Sequence, residues 1–142
     1  MPSRIREFCK KTGQHVPETI GEVVRCIFES LVLCYRQTIE SIEKMTGKHY
    51  SSINIVGGGT KEQILCQYAA DASNRVVYAG PVEATAMGNI AMQAISSGEI
   101  KDVAQAREVI RNSFDIKVYE PHHTDAWEEA YQRYLAICGK EI

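Results

Sequence analysis

Residues 53–59 read INIVGGG, and the run from Thr60 to Ala72 that follows has the apolar spacing of a helix. The three glycines lack Cβ atoms and reach backbone dihedrals closed to other residues, so a ligand can approach the main chain. A helix after them directs unpaired N–H groups and the positive end of its dipole toward the same place. The pattern predicts a phosphate or nucleotide contact at Gly57–Gly59, with an ordinary tight strand-to-helix turn as the alternative.

The size and charge of the chain limit its class. Its 142 residues fit one unit, 1–142, and 44% hydrophobic residues suit a globular core. The net charge is −2 and the sequence pI is about 6.1, so no basic field attracts nucleic acid or an acidic membrane surface. No apolar stretch has membrane-spanning length. We therefore expect a cytoplasmic protein with neither a nucleic acid nor a membrane partner.

The cysteine and histidine pattern predicts no metal site. The five cysteines are odd in number and show no CxxC spacing: Cys9, Cys26, Cys34, Cys66 and Cys138. A disulfide framework is not expected in a chain with this much core, although the sequence leaves open whether Cys9 and Cys26 pair. His122 and His123 stand next to each other without further ligands nearby. Cys66 has no histidine beside it to act as a base, and no complete catalytic set is visible.

Periodicity and capping residues outline the elements. Thr19 and Glu22 have capping-box spacing and open a long helix that should run to about Met45 and stop at Gly47. The other predicted elements are a helix at 3–12, strands at 53–56 and 75–79, a helix from about 82 to Gly98, a helix capped by Asp102, a short strand at 116–119 and a last helix from Thr124.

This inventory predicts an α/β fold with a small sheet of two or three strands flanked by helices. A strand–helix–strand order implies parallel strands, and parallel sheets are normally covered on both faces. Five or six helices are too many for so small a sheet. We therefore expect that upstream strands are missing from this chain, which is then the carboxyl-terminal part of a larger protein or completes its sheet by association.

Four phrases, taken together in their order, are specific to one family. Residues 55–72, IVGGGTKEQILCQYAADA, resemble the adenosine motif of the FGGY carbohydrate kinases. Residues 79–89, AGPVEATAMGN, are similar to the continuation found in the rhamnulokinase branch of that family. Residues 12–19, TGQHVPET, and 25–31, RCIFESL, are also similar to that branch.

The resemblance implies a fold and a reaction. The fold is that of the actin-like ATPases, built from ribonuclease H-like domains, with 1–142 as the C-terminal portion of the second, nucleotide-side domain. The reaction is transfer of the γ-phosphate of ATP, with Mg²⁺, to L-rhamnulose. The sugar contacts and the general base would lie upstream and the Mg²⁺ ligands outside this chain, so no catalytic residue and no metal ligand is expected in it.

The resemblance also assigns residues. Gly58 matches the motif glycine that contacts the nucleotide, ATP or ADP, and Gly57 and Gly59 shape the same turn. Glu62 stands where relatives often carry Asn or Ser near the adenine. Two alternatives stay open: another pentulose or hexulose kinase of the family, such as a xylulokinase, and a non-catalytic nucleotide-binding module.

Overall fold

The computed structural model describes residues 1–139, so the predicted unit 1–142 includes three residues outside that range. Within those residues the chain forms six α-helices, three strands and one 3₁₀ turn. The helices are α1 Pro2–Lys11, α2 Ile20–Thr46, α3 Gln63–Ser73, α4 Ala84–Ser96, α5 Val103–Ser113 and α6 Thr124–Cys138; the strands are β1 Ser52–Ile55, β2 Val76–Ala79 and β3 Lys117–Tyr119; the 3₁₀ turn is Gly58–Lys61. Element types and order agree with the sequence, and the predicted α/β class with a small sheet is confirmed.

The long helix α2 is bounded by local signals. The Thr19 hydroxyl accepts a hydrogen bond from the Glu22 N–H at 3.2 Å, and the Glu22 carboxylate accepts from the N–H groups of Thr19 and Glu18. This reciprocal capping box satisfies donors that the first helical turn would otherwise leave unpaired. At the other end, Gly47 takes the left-handed conformation, φ +66°, and its N–H donates to the Glu43 carbonyl. The predicted bounds of this helix are therefore confirmed.

The sheet has the order β1-β2-β3 and mixes two pairings. β1 and β2 run parallel, with Ile53 beside Val77, as the intervening helix α3 requires. β3 pairs antiparallel with the other side of β2. Within the described residues β1 pairs with β2 alone, so its second edge carries unpaired backbone groups.

The core lies on one face of this sheet. It is formed by buried residues of β2, α2, α3 and α6: Val32, Leu33, Leu65, Cys66, Ala69, Ala70, Ala72, Val77, Ala79 and Tyr131. On the opposite face Asn54, Tyr78 and Val118 are aligned across the three strands, and Tyr78 and Val118 stay 38% and 54% exposed. In the described chain, the helices therefore cover the sheet from one side only.

The end of α2 is tied to the strands by a buried arginine. Arg75 is 9% exposed; its guanidinium donates to the carboxylate of Glu43 and to the carbonyls of Tyr50 and Ser73, at 2.8, 2.8 and 2.6 Å. Glu43 in turn accepts from the Tyr50 N–H at 2.8 Å. This cluster fixes where the chain leaves α2 and enters β1.

Two descriptive points complete the fold. All five cysteines are free thiols in the described chain, Cys9 and Cys26 included. None of the helices formed by residues 1–139 combines the length and apolar character needed to cross a membrane.

The Glu43 cluster predicts a pH dependence of stability. The Tyr50 N–H, followed by Arg75, holds the pKa of Glu43 below its ordinary value. A carboxyl whose pKa is lower folded than unfolded stabilises the fold above the unfolded pKa, and this stabilisation disappears as the pH falls. We expect Glu43→Gln to unfold at lower urea concentration at pH 7 and to lose less stability than wild type between about pH 5 and pH 3. The matched control is Glu129→Gln, because both side chains of the ion pair between Glu129 and Arg133 are exposed. If the stability of Glu43→Gln fell with pH as steeply as that of wild type, the assignment would be contradicted.

Candidate functional site

The glycine turn lies where the two parallel strands end. The Gly57 N–H donates to the Pro81 carbonyl at 3.1 Å, and the Gly80 N–H donates to the Ile55 carbonyl at 2.9 Å. These two bonds join the loop after β1 to the loop after β2. In α/β sheets, ligands bind in the crevice outside the carboxyl ends of the strands. The turn is therefore placed where a ligand contact is expected.

The three predicted glycines lie in one turn but have different physical reasons to be glycine. Gly57 has φ +80° and ψ −160°, a conformation that essentially only glycine adopts. Gly58 is exposed, and no described heavy atom lies within 4 Å of the place where its Cβ would stand. A Cβ on Gly59 would meet the Ile55 side chain at 3.8 Å, an ordinary contact. Gly58 is thus the position where the backbone faces open space.

The prediction of a helix from Thr60 is wrong for its first three residues. The chain forms the 3₁₀ turn Gly58–Lys61 and enters α3 only at Gln63. The tighter turn closes because the Thr60 N–H and the Glu62 N–H each bond to a carbonyl three residues back, at 3.1 and 3.2 Å. The positive end of the α3 dipole therefore lies near Glu62 rather than directly behind the glycines.

Glu62 occupies the N-cap position of α3 with an exposed side chain. Its carboxylate makes no capping hydrogen bond within the described chain. It is therefore available to a ligand that lies over the turn. A carboxylate attracts hydrogen-bond donors and repels phosphate, so an amino group suits this position and a phosphate group does not.

Two residues below the turn were not assigned a role from the sequence. Thr60 is 7% exposed, and its hydroxyl donates to the Gly57 carbonyl at 2.8 Å. Cys66 is fully buried, and its Sγ lies 3.7 Å from the Gly59 carbonyl. Burial, with the charge of Glu62 adding to it, raises the pKa of the Cys66 thiol. The thiol therefore stays neutral and packs below the turn.

The carboxylate of Asp71 holds two parts of the chain together. Asp71 is 4% exposed and accepts from the Gln67 amide and from the His122 N–H, both at 2.9 Å. Gln67 also donates to the Glu120 carbonyl at 2.8 Å. Together they attach α3 to the segment that precedes α6.

Metal-ligating side chains are not clustered in residues 1–139. Within 1–139, no three His, Cys, Asp or Glu side chains are grouped closely enough to hold a metal ion. His122 and His123 are both exposed.

The conformations of Gly57 and Gly58 predict that alanine destabilises the fold at the first position and has little effect at the second. We expect Gly57→Ala to lower the free energy of unfolding by roughly 1 to 3 kcal/mol, because alanine is strained at φ +80°. We expect Gly58→Ala to change it by less than about 0.5 kcal/mol, because the added methyl group meets open space. Urea unfolding followed by circular dichroism measures both, and equal losses in the two variants would contradict this distinction.

Comparison with known proteins identifies the family of the chain. Residues 1–97 match the model of the FGGY family of carbohydrate kinases, C-terminal domain, a ribonuclease H-like domain. The matched part contains α1 to α4 with the glycine turn and both parallel strands.

Several curated relatives are similar along most of the chain. A rhamnulokinase of Bacteroides thetaiotaomicron is 45% identical over 131 residues, which are 92% of this chain and 27% of the relative. A rhamnulokinase of Bacillus subtilis is 44% identical over 88% of this chain and 26% of its own length. A rhamnulokinase of Ligilactobacillus salivarius is 44% identical over 99% of this chain and 29% of its own length. The chain thus spans about a quarter of the length of these relatives, and the family match shows that it belongs to the FGGY family of carbohydrate kinases.

Proposed function

We propose that this chain supplies the adenosine-binding surface of a sugar kinase that transfers the γ-phosphate of ATP to L-rhamnulose. The observation that carries the proposal is the open backbone at Gly58, at the carboxyl ends of two parallel strands. A nucleotide base or its ribose can contact the backbone here, whereas a side chain at position 58 would occupy the same space. The similarity to rhamnulokinases supports the choice of sugar.

Each residue of the turn has a proposed role. Gly58 contacts the nucleotide, ATP or ADP, and Gly57 and Gly59 give the turn its shape. Glu62 accepts a hydrogen bond from the adenine amino group, a neutral donor that suits an exposed carboxylate. The phosphates extend away from Glu62, because the carboxylate would repel them.

The chemical step needs groups beyond these residues. Phosphoryl transfer depends on positioning and on neutralising charge, and Mg²⁺ supplies much of the neutralisation when bound. We propose that the general base, the Mg²⁺ ligands and the sugar contacts come from polypeptide corresponding to the rest of the relatives. The chain spans 27% of the Bacteroides relative and covers its own sheet on one face, and both observations support a role as one part of a larger enzyme. We propose a cytoplasmic location, because the proposed reaction needs a supply of ATP.

The nucleotide contact is tested by titrating the chain with ADP in a calorimeter. We expect measurable binding heat for wild type and at least a tenfold weaker affinity for Gly58→Val, because the branched side chain fills the space over the turn. Gly88→Val is the matched control: Gly88 is also exposed, and its Cβ would also meet no described atom within 4 Å, but it lies on α4. Equal ADP affinity in the two variants would count against the glycine assignment.

A chimera tests whether this chain can serve as the nucleotide-side part of a rhamnulokinase. In it, residues 1–139 replace the matched segment of the Bacillus subtilis rhamnulokinase. We expect ATP-dependent phosphorylation of L-rhamnulose by the chimera and none by the 142-residue chain alone. An inactive but folded chimera that still binds ADP would favour the non-catalytic module.

A further inference from the structure

The carbonyl of Gly57 accepts two hydrogen bonds from Thr60. The Thr60 hydroxyl donates to it at 2.8 Å and the Thr60 N–H donates to it at 3.1 Å. Thr60 is 7% exposed, whereas its neighbours Lys61 and Glu62 are exposed. A buried hydroxyl requires a partner, and here the Gly57 carbonyl provides it.

These two hydrogen bonds determine the orientation of the Gly58 N–H. A peptide unit is planar and trans, so its C=O and N–H point in opposite directions. Because the Gly57 carbonyl points toward buried Thr60, the Gly58 N–H points the opposite way. That amide belongs to the residue whose Cβ position is open.

The peptide between Gly57 and Gly58 would rotate easily without the hydrogen bonds from Thr60. Glycine populates both signs of φ about equally, and this peptide has a glycine on each side. The preceding peptide is fixed by a main-chain bond, from the Gly57 N–H to the Pro81 carbonyl at 3.1 Å. The peptide between Gly57 and Gly58 is held by two hydrogen bonds to its carbonyl, one from the Thr60 N–H and one from the Thr60 hydroxyl. Most residues at position 60 could supply the first bond, but the second requires a side-chain hydroxyl.

We propose that Thr60 is a positioning residue for the nucleotide site: its hydroxyl keeps the Gly57–Gly58 peptide in the one orientation that turns the Gly58 amide toward the ligand. Thr60 itself does not touch the nucleotide, since it lies buried beneath the turn. The proposal rests on the proposed function for the role of the turn. The orientation of the peptide follows from the hydrogen bonds alone.

Two substitutions separate the hydroxyl from the packing of the side chain. Thr60→Val keeps the shape and loses the hydroxyl, whereas Thr60→Ser keeps the hydroxyl and loses a methyl group. Both variants are expected to fold, because the Thr60 N–H still satisfies the Gly57 carbonyl. In ADP titration of the full chain we expect about fivefold weaker binding for Thr60→Val, the factor of one net hydrogen bond, and binding within about twofold of wild type for Thr60→Ser.

A second measurement does not need nucleotide. In ¹H–¹⁵N spectra we expect the Gly58 amide signal of Thr60→Val to broaden or double as the peptide samples two orientations, and that of Thr60→Ser to stay single near its wild-type position. A single, unshifted Gly58 signal in Thr60→Val would overturn the positioning role, and so would equal losses of ADP affinity in both variants. Absence of ADP binding by wild type would instead count against the proposed function, and the spectra would still decide the role of Thr60.

Discussion

The close packing of α3 against both the sheet and α2 is the constraint on which the structure depends. The helix is lined with small buried residues, Ala69, Ala70, Ala72 and Ser73, which let it approach two layers at once. Interiors pack as densely as organic crystals, so larger side chains here would separate the layers. Because α3 follows the glycine turn directly, its position also fixes where the turn lies.

The polar groups that this packing buries are used to join distant parts of the chain. Asp71 and Gln67 hold the segment before α6, and Arg75 binds Glu43 at the end of α2. Buried polar groups are costly unless they are hydrogen-bonded, so each of these bonds stabilises a contact between elements. These side chains therefore hold together the elements around the turn.

The surfaces that stay uncovered are consistent with a chain that works within a larger enzyme. Tyr78 and Val118 face outward from the sheet, and within the described residues no side chain of α4 is buried. Parallel strands are normally covered on both faces. Together with family membership, this supports the proposed role of the chain as one part of a larger enzyme.

The sequence by itself determined the features that depend on near neighbours in the chain. The capping box of Thr19 and Glu22, the glycine stop at Gly47 and the periodicity of the helices are local, so element types and the α/β class followed from the residues, and the glycine turn was located correctly. Only the tertiary structure decided that Gly57 bonds to Pro81, that the helix starts at Gln63, and that Thr60 is buried beneath the turn. The bond from Gly57 to Pro81 joins residues more than twenty apart in the chain, and the burial of Thr60 depends on packing; periodicity carries no information about either. The start at Gln63 depends on local 3₁₀ hydrogen bonds, which the apolar spacing does not distinguish from a first α-helical turn.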